Sequence, residues 1–328
     1  MLDAYTVYLD DALANCIQYE EFMYSVLDNT KYALTFSGHE TFPLRQTWLK
    51  KVVRMSSNGL IEKKKFSDPR QLAELGVGKN MLASMKYWAS TCGVIAEYDN
   101  AHFKLTELAE KVFSDDGLDP FSESVTTTWL LHWILASTGY KATSIYYVFN
   151  RLNISKFKKN DVKEELERLI ESKGKNISLS SVSKDLDIVF RSYSLKLGGS
   201  ERYQEDFAEP VFSELGLINQ DENGVFSFNR GPKESLNNHL FTYSLLSFWN
   251  ALESHSNTLS LDIITYAEGS PGRVFKLDEN SVAERLLSIE ELTQGKLIWS
   301  DSAGIKQILR TDTDFKELMT ALLEKSYE

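Results

Sequence analysis

The sequence is poor in cysteine: Cys16 and Cys92 are the only two in 328 residues. Two are too few for a disulfide framework or a cysteine-rich zinc site. Long apolar runs are also missing, and none approaches the roughly 20 residues that a bilayer span requires. The opening MLDAYTVYLDDALANC carries acids and no basic stretch, unlike a secretory signal. These absences point to a soluble cytoplasmic protein. No serine-hydrolase elbow, zincin helix or dinucleotide fingerprint is found. GVGKN (76–80) only superficially resembles a phosphate loop, because Ala73 stands where the first glycine belongs and Asn80 where Ser or Thr is needed.

What is present suits a folded chain. A hydrophobic fraction of 42 % builds ordinary cores, and 328 residues suggest two or three domains. The formal net charge of -11 argues against a nucleic-acid partner until its distribution is read. Between Arg45 and Lys86 stand ten cations: Arg45, Lys50, Lys51, Arg54, Lys63, Lys64, Lys65, Arg70, Lys79 and Lys86. Against them stand three acids, Glu62, Asp68 and Glu74, so the window carries +7 and the rest of the chain -18. Such asymmetry marks a candidate anion-binding surface, the plain alternative being a solvated lysine-rich face.

The same window is the most readable part of the fold. In PLRQTWLKKVVRM (43–55), Leu44, Trp48 and Val52 recur at helical spacing, and Pro43 suits a first helical turn, so a helix is expected to begin close to Pro43. DPRQLAEL (68–75) reads as a short helix capped by Asp68, GVG as a tight turn, and KNMLASMKYWAS (79–90) as a second helix. Its apolar face holds Met81, Leu82, Met85, Trp88 and Ala89, leaving Lys79, Asn80, Ala83, Ser84, Lys86 and Tyr87 to point outward. GVIAEYDNAHFKLT (93–106) predicts a hairpin about Asp99 and Asn100, followed by a helix capped by Thr106. Helix, glycine turn, helix, hairpin is the order of a winged helix-turn-helix. TTTWLLHWILAS (126–137) predicts a buried helix with His132 in its core, and NDVKEELERLIESKGKN (160–176) an amphipathic one. Helix-then-hairpin patterns recur at 208–232 and 281–310. The expected fold is mainly α with small β-hairpins (α+β) and multidomain. It has a lead segment (1–33), a winged helix-turn-helix DNA-binding unit (34–114), a mostly helical middle domain (115–240) and a C-terminal winged-helix-like unit (241–328).

Three stretches carry candidate chemistry. In the recognition-helix position, Asn80 and Ser84 could meet base edges while Lys79 and Lys86 meet phosphate; a winged helix used for protein contacts is the alternative. In FSGHETFPLR (36–45), Gly38 allows close backbone approach, and His39 and Arg45 could each contact a phosphate oxygen. Glu40 could act as a base, orient His39 or bind a metal, provided that the segment turns; the plainer reading is a well-satisfied helix entrance. In EGSPGRVFKLDE (268–279), Gly269, Pro271 and Gly272 make a turn presenting Arg273 and Lys276, an anion loop or a simple connection. The acids Asp115, Asp116 and Asp119, and Glu201, Glu205 and Asp206, lack a recognised metal spacing, and His102, His239 and His255 are scattered.

Taken in order, FSGHETFPLR, LGVGKNMLASMKYW with KLTELAEKVF, and GSPGRVFKLDE resemble a bacterial family of formerly unknown function associated with DNA phosphorothioation. Within that family the stretches look like those of SspB, the DNA-nicking component of single-strand phosphorothioation defence systems. The resemblance spans roughly residues 34 to 310. It implies a DNA-nicking endonuclease that acts on one strand of duplex DNA beside a cysteine desulfurase, an ATPase and an ATP-pyrophosphatase-like protein; a homodimer is open and no membrane is expected as partner. A divalent ion, Mg or Mn, suits such chemistry, but no ligand set is legible. On this reading the catalytic residues are His39, Glu40 and Arg45. DNA would be held by Lys50, Lys51, Arg54, Lys63, Lys64, Lys65, Lys79, Asn80, Ser84, Lys86 and Arg273. The alternative is a non-catalytic DNA-binding adaptor or a winged-helix transcriptional regulator.

Overall fold

The computed structural model describes residues 26–29, 32–196, 210–252, 256–302, 304–312 and 314–328. Cys16, His255, Glu201, Glu205, Asp206 and most of the lead segment lie outside them. The first unit runs α1 (Trp48–Arg54), β1 (Leu60–Glu62), α2 (Pro69–Leu75), α3 (Lys79–Thr91), β2 (Ile95–Glu97), β3 (His102–Leu105) and α4 (Glu107–Phe113). Its boundaries follow local chemistry. Asp68 accepts from the Arg70 amide at the start of α2, Gly76 closes that helix at φ 64°, and Thr106 caps α4 through the Ala109 amide.

Helix α1 begins at Trp48, not near Pro43 as the proline suggested. The Trp88 indole N–H donates to the Phe42 carbonyl at 3.0 Å, and Leu44 is buried, so tertiary contacts keep this stretch out of the helix. The outward face expected for α3 is also narrower. Lys79, Asn80 and Lys86 are exposed, whereas Ser84 and Tyr87 are buried. An isolated 13-residue helix would be marginal in water. Burying Leu82, Met85 and Trp88, at about 1.5–3 kcal/mol per large apolar side chain, holds this one in place.

The chain continues with α5 (Val125–Thr138), α6 (Thr143–Tyr146) running into a π-helical turn (Tyr147–Arg151), then β4 (Lys156–Phe157), α7 (Lys159–Ser172), α8 (Leu179–Tyr193), β5 (Ser194–Lys196), β6 (Ile218–Gln220) and β7 (Phe226–Phe228). The last part holds α9 (Asn238–Ala251), β8 (Thr258–Ser260), α10 (Leu261–Tyr266), α11 (Pro271–Val274), α12 (Glu279–Leu286), α13 (Ile289–Leu292), β9 (Leu297–Ser302), β10 (Ile305–Arg310) and α14 (Lys316–Lys325). The result is a mixed helical protein with small sheets, largely antiparallel.

One topology occurs three times. The sheets are ordered β1-β3-β2, β4-β7-β6-β5 and β8-β10-β9. In each, a strand is followed by helices and a hairpin, and the hairpin's second strand returns antiparallel to the first strand. The middle sheet adds β5, parallel to β6. Such small sheets are not stable alone and depend on helical cover. Helix α5 supplies the centre: it packs against α6, α9, α11 and the turn Val211–Leu215. As expected, His132 lies in this core. Its Nδ1 accepts from the Tyr193 hydroxyl and its Nε2–H donates to the Val274 carbonyl, each at 3.0 Å. Burial pushes its pKa down to about 3, so the ring is neutral.

Candidate nucleic-acid interface

The stretch SGHET is a strained turn pinned from both sides. The Phe42 amide donates to the His39 carbonyl at 2.8 Å, with Glu40 at φ 48° and Thr41 at φ 67° between them, the signs of a type I′ turn. That turn favours Asn and Gly; Glu and Thr there cost strain energy, held in place by surrounding contacts. Gly38, at φ 119°, lies against the Tyr87 ring, where a Cβ would come within 2.4 Å of Cδ2. The His39 ring is buried and meets Tyr87 edge-on.

Its hydrogen bonds fix the tautomer. The Thr41 amide donates to Nδ1 at 3.1 Å, so the proton sits on Nε2, which donates to Asp185 at 2.8 Å. Both ring nitrogens are committed, and no lone pair is left to take a proton from a substrate. Glu40 is exposed, and Arg45 stacks its guanidinium over Trp48 at 5.6 Å and Phe42 at 6.0 Å. The three residues therefore point to three different environments. Asp185 was not singled out from sequence, although a carboxylate three residues after Val182 and one before Leu186, on the apolar stripe of α8, was a usable signal.

Most cations of the +7 window are already engaged. Lys50 is buried; its Nζ donates to the Phe113 carbonyl at 2.9 Å and pairs with Asp115 at 2.7 Å. The Lys50 hydrogen bond holds the Asp115 carboxyl below its usual range. Arg54 lies 4.0 Å from the same carboxylate and over Phe121. Lys51 donates to the Leu75 carbonyl and Lys65 to that of Met55. Lys63 pairs with Glu97, Lys64 with Glu62 and Arg70 with Asp68. Buried Lys50 and buried Ser84 are thus not surface donors, contrary to the expectation from sequence. The exposed Lys79, Asn80 and Lys86 on α3 carry no ion pair or side-chain hydrogen bond among the described residues.

The GSPG stretch forms α11, capped by Ser270, instead of an open loop. Gly272 is obligatory, since a Cβ would meet the Thr265 carbonyl oxygen at 2.6 Å. The Arg273 guanidinium closes on the π-helical turn, donating to the Asn150 carbonyl and the Asn153 side chain. Lys276, at φ 56°, is fully buried; its Nζ bonds the Phe149 carbonyl and lies 4.0 Å from the Phe228 ring centre. Burial, then Arg230 and Arg273, push its pKa well below the usual lysine value. Arg230 itself is exposed over Phe228.

Among the described residues no three His, Cys, Asp or Glu side chains cluster as a metal site, and no described helix is long and apolar enough to cross a membrane. No curated protein matches the sequence. The fold is similar to two crystal structures of SspB, one with magnesium bound. Their identities are 26 % and 27 %, each with a TM-score of 0.78, covering 89 % of this chain and 88 % of theirs. The chain thus resembles SspB along most of its length. The model of the family described as "Protein of unknown function (DUF4007)" matches residues 36–327, and the chain belongs to that family.

Proposed function

We propose that this chain is the DNA-binding, strand-nicking component of a DNA-phosphorothioation system. The observation that carries the reading is the free polar face of α3: Lys79, Asn80 and Lys86 stand uncommitted while Lys63, Lys64 and Arg70 are paired with carboxylates. We read the first unit as a winged helix-turn-helix with α3 as recognition helix, and the two repeats of its topology as winged-helix-like units. Asn80 would read a base edge, and the lysines would take phosphates, with Lys51, Lys65 and Arg273 as flanking contacts and the acid-paired Arg54, Lys63 and Lys64 adding little. Similarity to SspB supports the system and, through the resemblance, the partners: a cysteine desulfurase, an ATPase and an ATP-pyrophosphatase-like protein, in the cytoplasm. A magnesium ion belongs to one SspB structure, and Mg or Mn is the ion to supply in assay.

In this reading His39 is a positioning residue that holds the turn, and Glu40 and Arg45 are the groups left to face substrate. A second reading, a DNA-binding adaptor without nicking, is favoured by the full commitment of the His39 ring. Supercoiled plasmid incubated with the protein and Mg or Mn separates the two. Nicking that is lost in Glu40→Gln with duplex binding retained supports the first reading. Binding without nicking at any protein concentration supports the adaptor, and a protein that neither binds nor nicks duplex DNA sinks both.

A further inference from the structure

A second group of cations gathers where the sequence gives no hint of a cluster. The loop after β7 carries Arg230 and Lys233, and Lys233 is buried. Its Nζ donates to the carbonyls of Asn229 and Gly231, each at 3.0 Å. Arg285 of α12 reaches the same loop. Its Nη1 donates to the Leu236 carbonyl and to Asn238 Oδ1, and its Nη2 to the Lys233 carbonyl, all at 2.7 Å. These bonds engage two of three ammonium hydrogens and three of five guanidinium hydrogens, so both cations retain donors. Neither makes an ion pair among the described residues.

The two cations line a cleft of about 410 Å³, with Asn237 and Asn238 at the start of α9 and the exposed acids Glu234 and Glu284 on its wall. The N-terminal end of that 14-residue helix adds partial positive charge to the same wall. Burial, with Arg285 and Arg230 behind it and Asp278 opposing, pushes Lys233 down to about 8. Desolvated like charges of this kind are costly until an anion joins them.

We propose that this cleft binds the phosphate group of a small ligand. A phosphate dianion matches two cations with unused N–H donors. The volume lies in the range of small-molecule pockets, and the exposed glutamates repel an extended polyanion such as the duplex backbone. The site is separate from α3 and does not depend on the DNA reading.

Calorimetric titration of the full chain at constant ionic strength, with inorganic phosphate, AMP and a duplex oligonucleotide as probes, tests it. Phosphate or AMP should bind saturably, and a folded Lys233→Gln variant should lose about tenfold in affinity. Because that substitution could disturb the loop, the exposed pair Glu234→Gln with Glu284→Gln serves as a second probe and should bind about threefold more tightly. Absence of saturable binding up to millimolar phosphate and AMP overturns the proposal. So does binding by duplex alone, or an affinity unchanged in either variant.

Discussion

The protein carries two cationic regions of opposite character. The one between Arg45 and Lys86 is dense in sequence, yet Glu62, Asp68, Glu97 and Asp115 pair with half of its ten cations in space. The other, built from Arg230, Lys233, Arg273, Lys276 and Arg285, is thin in sequence and has no such ion pairs among the described residues. Charge density along a chain and unneutralised charge on a folded surface are different quantities. The second is what a phosphate meets.

The largest expected effect separates free from paired cations within the first region. Lys79→Glu combined with Lys86→Glu should weaken duplex binding by about a hundredfold and flatten the log–log salt slope by about 0.9 for each lost phosphate contact. Lys63→Ala combined with Arg70→Ala, which removes paired cations, should change affinity only slightly. Fluorescence anisotropy across a salt series measures both, and equal losses in the two double variants would break the distinction.

A buried lysine from each region gives the next contrast. Lys50→Met strips a bonded ammonium from the Phe113 carbonyl and from Asp115, and should cost about 2–3 kcal/mol. Lys276→Met also bares a carbonyl, but it removes a buried amine that has no carboxylate partner among the described residues and lies near Arg230 and Arg273. It should stay within about 1 kcal/mol of the parent chain. Urea denaturation midpoints decide, and a Lys276→Met cost equal to that of Lys50→Met would show that the second cluster is internally compensated.

What the sequence revealed follows the range of the forces involved. The α2–α3–hairpin–α4 order was legible because Asp68, Gly76 and Thr106 act within a few residues of themselves. The start of α1 is not legible locally because Trp88, far along the chain, claims the Phe42 carbonyl. His39 was noticed, but its role depends on Asp185, 146 residues away. The +7 count overstated the free charge because the window stopped short of Glu97 and Asp115. The clustering of Arg230 and Lys233 with Arg273, Lys276 and Arg285 is not legible because these residues come from different parts of the chain. Such a cluster exists only once α11 and α12 have packed.

The smallest expected effect is a pH signature of that second cluster. Burial lowers both Lys233 and Lys276 in the folded chain below the ordinary lysine value near 10.5. Between about 8 and 10.5 the unfolded chain therefore holds protons that the folded chain does not. Stability gained from these two groups must then rise with pH across that window, since the unfolded state binds more protons there. Other lysines and tyrosines titrate too, so the informative quantity is the difference between the parent chain and Lys233→Met. The parent's denaturation midpoint should gain on the variant's as pH goes from 8 to 10. A difference that stays flat would mean that Lys233 is charged and compensated in the fold, and with it the claim of an unneutralised second region would fail.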